Sequence, residues 1–213
     1  MGSIESVIEY DAGPIVEKAL QKAIGVTIKE LNEDITAKLK KNPLLEFNIN
    51  TNISLKIAKK AFRKGYIEKV LKSHFGDVSA AARILDVDRK TIHRMIAELK
   101  IDINECRKSF VTEEYIKEEV VSHALQDIFK SYREILHPSK INEAYENTSK
   151  ISENIVKEIK FTFITLKDAE KEFEREYISA ALKENNNSLP KTAKKIGLSH
   201  EALFRKAKTL RII

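Results

Sequence analysis

Tryptophan is missing from the 213 residues, cysteine occurs once, and only six glycines and four prolines interrupt the chain. Each scarcity excludes something. The lone Cys106 leaves no internal disulfide and suits a reducing compartment. It has no nearby cysteine or histidine in a zinc pattern, and His74, His93, His123, His137 and His200 are scattered without metal-ligand spacing. No apolar run approaches the roughly 18 residues of a spanning helix. The opening "MGSIESVIEYDAG" lacks the basic start and apolar stretch of a signal peptide. The expectation is a cytoplasmic protein with no membrane partner. No G-x-x-x-x-G-K-[ST] loop, G-x-S-x-G elbow or H-E-x-x-H helix is present. Paired acids such as Glu113-Glu114 and Glu118-Glu119 read as solvated helix faces. The chain is therefore expected to be no enzyme and to need no cofactor.

What is abundant points to helix. Charged residues make up 33% and apolar residues 42%, enough for a real core, and Lys, Glu, Ile, Leu and Ala dominate. The net charge of +6 is unevenly spread. Residues 54–101 carry +7 and residues 189–212 carry +6, while residues 1–53, 102–164 and 165–188 are each net acidic. Two basic blocks, one in each half, fit two footprints for a polyanion. A lysine-rich solubilising surface would give the same sums.

A repeat sets the organisation. Shifted by 111, residues 54–101 fall on 165–212 without a gap. Leu55, Phe62, Tyr66, Ile67, Leu71, Ala82, Arg94 and Leu99 meet identical residues at Leu166, Phe173, Tyr177, Ile178, Leu182, Ala193, Arg205 and Leu210. Upstream, "VEKALQKAI" (16–24) echoes "VSHALQDIF" (121–129) at a shift of 105, so the second half needs about six extra residues. The chain divides into 1–104 and 105–213, each a helical segment followed by a repeated block. Helical spacing runs over 15–42, with Ile15, Ala19, Ile24, Ile28, Leu31, Ile35 and Leu39 near one face. "LLEFNINTNI" reads as a short strand or loop and "IKFTFI" as a short strand. Helices are expected over 55–73, near 79–86, near 89–100, and over most of 113–160 with a break at His137-Pro138. Thr165 with Asp168 forms a cap-box-like pair at the next helix start.

Within each block the spacing is that of a helix-turn-helix. Ala82 and Ala193 are the small residues at the crossing. Gly197 suits the tight turn four residues later, since glycine accepts a positive φ freely, and Asp86 is a second choice there. Leu85, Val87, Ile92 and Met95 or Ile96 flank the turn in one copy; Ile196, Leu198, Leu203 and Ala207 do so in the other. Ser79 is expected to open the first helix, Asp88 or Ser199 the second, with Pro190 in a tolerated first turn. Such a motif lays the start of its second helix in the DNA major groove. Arg89 and Arg94 can reach guanine edges or phosphates, while Lys90, Thr91 and the helix amides suit phosphate oxygens.

The stretch "GDVSAAARILDVDRKTIHRMIAELKI" resembles the DNA-binding domain of the Fis family, also found at the C-terminus of NtrC-type activators. That pattern reads G-N-V-S-x-A-A-x-x-L-G-I-S-R-x-T-L-Y-R-K. It is met by Gly76, Val78, Ser79, Ala81, Ala82, Leu85, Val87, Arg89, Thr91, Ile92 and Arg94. Asp77, Asp86, Asp88 and His93 depart from it, and Asp88 is unfavourable beside a phosphate. The second copy, "NSLPKTAKKIGLSHEALFRKAKTLRI", keeps Ala193, Gly197, Ser199 and Arg205 but places His200 and Glu201 early in its second helix. The resemblance implies a dimerising helix carrying Phe62 and Tyr66, and paired reading heads about 34 Å apart. Those heads could pair within one chain as a pseudo-dimer, or across two chains as a homodimer with four heads.

The fold class expected is all-α, two duplicated halves each ending in a Fis-like helix-turn-helix. The partner expected is double-stranded DNA. The candidate DNA-binding residues are Ser79, Arg89, Lys90, Thr91, His93, Arg94, Lys191, Lys194, Ser199, His200, Arg205 and Lys206. The role expected is transcriptional regulation. A nucleoid-associated bending or bridging protein, or a fold kept for protein contacts, are the alternatives, the latter suggested by Asp88 and Glu201.

Overall fold

The structure, a computed structural model, describes residues 12–25, 28–40, 45, 49–159 and 162–213. Among these the chain is all-α, with no strand. In chain order the helices are α1 (Ala12–Ile24), α2 (Lys29–Lys40), α3 (Leu55–Ser73), α4 (Val78–Leu85), α5 (Arg89–Leu99), α6 (Ile103–Lys108), α7 (Glu113–Ser131), α8 (Pro138–Glu146), α9 (Thr148–Glu158), α10 (Leu166–Glu184), α11 (Leu189–Ile196) and α12 (His200–Thr209). The strands considered at 44–53 and 159–164 do not form where the chain is described: residues 49–53 and 162–164 are irregular or turn. Residues 44, 46–48 and 160–161 lie outside the described part.

The helices gather into two compact units that cut across the sequence halves 1–104 and 105–213. One unit takes residues 1–46 and 111–162; the other takes 47–110 and 163–213. Each half thus gives its upstream segment to one unit and its repeated block to the other. The reason is burial: a three-helix block of about 45 residues cannot enclose a sufficient core alone, so like blocks pack on each other.

In the first unit, α1 packs against α2 and α9, and α7 packs against α9 and α2. The pattern is unchanged when α1 is exchanged with α7 and α2 with α9, which extends the weak upstream echo. Val16, Leu20 and Ile24 of α1, Leu31 and Ile35 of α2, Val121, Leu125 and Phe129 of α7, and Ile151 and Ile155 of α9 are fully buried. The single helix expected over 15–42 is two. Gly25 turns to φ +67°, its N–H donating to the Gln21 carbonyl at 3.0 Å, and a new helix starts at Lys29. Between α7 and α9 the chain inserts α8, opened by Pro138 in its first turn behind an N-capping His137. Lys140 of α8 donates to the Ile24 carbonyl at the end of α1, at 2.9 Å, where a cation meets the negative helix terminus. Tyr132 donates to Asp34 at 2.7 Å.

In the second unit α3 lies against α10. The ring of Phe62 stacks on Phe173, its mate 111 residues on, with centroids 4.7 Å apart and planes 3° from parallel. The tyrosines reciprocate. Tyr66 Oη donates to the Ile164 carbonyl at 2.9 Å and accepts from the Ile164 N–H at 3.0 Å, while Tyr177 Oη donates to the carbonyl of Ile53, the mate of Ile164. The two blocks share a backbone down to its unusual residues. Phe75, Gly76, Asp86 and Lys100 have positive φ, and so do Asn186, Asn187, Gly197 and Arg211, each 111 residues later. Gly76 is required at its position: a Cβ there would lie 2.8 Å from Arg107 Cγ of the small helix α6, which no periodicity announced.

Candidate nucleic-acid interface

The turn between α4 and α5 is built from its backbone. Asp86, at φ 53° and ψ 49°, closes α4 in the left-handed region, and the Val87 N–H reaches back to the Ala82 carbonyl at 3.0 Å. In the second copy Gly197 takes φ 74° and the Leu198 N–H reaches the Ala193 carbonyl at 2.9 Å. This is the Schellman closure, and it explains the spacing: the small residue both lets the helices cross and accepts the closing bond. Ala82, Leu85 and Ile92, with Ala193, Ile196 and Leu203, are buried beneath the turns. A Cβ on Gly197 would meet Ser54 Cβ at 3.2 Å, a tight contact added to the strain of the positive φ.

The first helix of copy one is capped by Asp77. Its carboxylate accepts from the Ser79 and Ala80 N–H groups at 2.7 and 3.1 Å. The expectation that Ser79 opens this helix is corrected: α4 begins at Val78, and Ser79 is half-buried in its first turn. Asp77 sits at the position where the resemblance has asparagine, an equally good cap. For α5 the cap is Asp88, whose carboxylate accepts from the Thr91 N–H at 3.0 Å and from the Thr91 hydroxyl. The Thr91 hydroxyl, then the Thr91 N–H, hold the Asp88 carboxyl below its ordinary value. The Ala80 and Ser79 N–H groups do the same for Asp77. Thr91 is thus engaged in the cap with both its amide and its hydroxyl, rather than turned to a phosphate. Ser199 caps α12, accepting from the Ala202 N–H at 3.1 Å.

Beyond the caps, each second helix shows a solvent face. On α5 it carries Arg89, Lys90, His93 and Arg94, all exposed, with Arg94 only loosely near Glu98 at 3.8 Å. On α12 the same positions hold His200, Glu201, Phe204 and Arg205, also exposed, Phe204 at 48%. Lys191 and Lys194 are exposed on α11. Among the described residues no group of three or more His, Cys, Asp or Glu could hold a metal ion, and no helix is long and apolar enough to cross a membrane.

A family model described as bacterial regulatory protein, Fis family, matches residues 62–99 and again 171–210. The chain carries the Fis-type helix-turn-helix twice. No curated protein and no solved structure matches the chain. Both matches begin inside the long helix and end where the second helix of the motif closes, so each Fis-type unit comprises α3 to α5 or α10 to α12. Fis-type units are DNA-binding rather than catalytic domains.

Of the residues singled out in sequence, Arg89, Lys90, His93 and Arg94 share one exposed face of α5. His200 and Arg205 share the matching face of α12, with Lys191 and Lys194 exposed on the helix before it. Lys206 of α12 is half-buried, its ammonium 2.6 Å from Glu174 on α10, apart from the exposed face that His200 and Arg205 share. Sequence reading missed Arg83, exposed on α4 and the mate of Lys194, which the 111-residue shift alone would have flagged. It also missed Phe204, which stands where the family pattern has an aromatic residue.

Proposed function

We propose that the protein is a transcriptional regulator that reads the major groove of double-stranded DNA with α5, supported by α12 on the same duplex. The observation that carries this reading is the face of α5. Four basic or imidazole side chains point to solvent from the first two turns of a helix whose start is fixed by a cap and a closed turn. Such a face is what a recognition helix offers to guanine edges and flanking phosphates. Arg89 and Arg94 carry base contact, Lys90 and Arg83 phosphate contact, and His93 a further contact in the groove.

The second unit is built for another balance. His200 and Glu201 replace arginine and lysine, while Lys191 and Lys194 stand on the brace helix. Those lysines suit the phosphate backbone, and exposed Phe204 suits a thymine methyl group. The protein works without a cofactor. Its activity is local to DNA, with the cytoplasm or nucleoid as its compartment. Selection from random duplexes tests this. A recovered motif with a guanine whose preference vanishes in Arg89→Ala supports direct readout, a loss worth about 1–3 kcal/mol. Recovery of no motif, with binding intact, would replace the regulator by an architectural DNA-bending protein.

A further inference from the structure

The contact between α3 and α10 carries a charge pattern at odds with its own symmetry. Lys59 and Arg63 of α3 have Glu170 and Glu174 of α10 as their mates 111 residues on. Lys59 Nζ lies 2.9 Å from Glu170 and 2.7 Å from Glu174. Arg63 Nε lies 2.5 Å from Glu170, and Lys206 Nζ lies 2.6 Å from Glu174. The carboxylates are only 14% and 11% exposed, so solvent screens them little. Much of the apolar contact does not discriminate. Phe62 meets its mate Phe173, and Tyr66 and Tyr177 each bond the backbone just ahead of the other's helix, while Tyr66 also packs edge-on against Phe163, whose mate is Asn52. The charges supply the sharper discrimination. Two α3 helices brought together would set Lys59 and Arg63 against their own copies, and two α10 helices would gather four carboxylates.

We propose that the α3–α10 face is a charge-coded pairing surface that accepts the unlike Fis-type unit and rejects its own copy. One chain alone then presents two unlike reading helices, and its target is a duplex with two unlike half-sites. The half-site clause rests on the DNA reading above; the pairing clause does not. Tethering within one chain raises the effective concentration of the matched partner well above that of any second chain, which favours pairing within the molecule. The acidic face of α10, with Glu170 and Glu174, is the element of repulsion that makes the pairing surface selective.

The full chain tests this without DNA first. Sedimentation equilibrium should give the mass of one chain. Lys59→Glu/Arg63→Glu and, separately, Glu170→Lys/Glu174→Lys should each lower the unfolding midpoint by many degrees. Inverting every sign at once, by joining those four substitutions with Lys206→Glu, should recover most of the loss. Half-inverted variants as stable as the starting protein, or a full inversion no better than the halves, would overturn the pairing code. A mass of two chains would overturn pairing within the molecule. Titration with duplex DNA then separates the clauses. One chain per duplex and a non-palindromic selected site are expected. Two chains on a palindrome would overturn the proposal while leaving the DNA reading standing. An intact charge code with no DNA binding would overturn the DNA reading and the half-site clause with it.

Discussion

Asp88 faces two demands. It caps α5 through Thr91, and it sets a carboxylate at the end of the helix proposed to enter the groove. Asp88→Asn keeps a capping oxygen and removes the charge, so DNA affinity at low salt should rise on the order of severalfold, with the gain fading as salt rises. Titrations of both proteins at two salt concentrations measure this; an unchanged affinity would place Asp88 away from the phosphates. Asp86 holds φ 53°, a conformation that glycine takes without strain. Asp86→Gly should therefore stabilise the fold by about 1 kcal/mol, read from chemical unfolding. At this scale the sequence was legible where one residue answers one geometric need, as at Gly197, Asp88 and Ser199. It was misleading where two residues could do the same task, as with Asp77 and Ser79. Lys206 was illegible for another reason: its partner, Glu174, lies 32 residues away and no local pattern joins them.

The helices show a similar division. Residues 55–73 read as one helix and are one, because a capping position, an unbroken apolar face and a closing loop agree. Residues 15–42 read as one helix and are two, because a 3.6-residue period runs on across Gly25 while the backbone does not. The pairing of α3 with α10 rests on a few residues. Tyr66→Phe leaves the half-buried Ile164 backbone groups without their hydroxyl partner and should destabilise by about 1 kcal/mol. Tyr177→Phe should behave alike, since it mirrors that contact. The ion cluster adds pH dependence. Burial pushes the Glu174 carboxyl up, but the hydrogen bonds from Lys206 and Lys59 outweigh it and leave the group below its ordinary 4.5. Burial pulls Lys59 down, but its bonds to Glu174 and Glu170 leave it above its ordinary 10.5. Stability from Glu174 is full above 4.5 and lost as pH falls through the folded value. Stability from Lys59 is full below 10.5 and lost as pH rises through its folded value. Melting midpoints should be flat between those limits as far as this cluster decides them. Glu174→Gln should lower the neutral midpoint and remove part of the acid dependence; an identical acid limb in both proteins would show that Glu174 does not contribute to it.

At the scale of the whole molecule, the repeat was legible because it lies in the order of residues, while the grouping of the halves was not. A period of 111 says that two blocks are alike; it does not say whether a block packs on its own upstream helices or on its twin. Burial decides that, through Phe62, Phe173 and the tyrosines beside them. The central claim is that α5 reads DNA. Fluorescence anisotropy on a 30-base-pair duplex of random sequence, across a salt series, tests it most directly when Arg89→Ala/Arg94→Ala is measured alongside. Binding should fall steeply with salt, and the double mutant should bind more weakly than the unaltered chain at low salt. A protein that ignores DNA at low salt, or a double mutant that binds as the unaltered chain does, would contradict it.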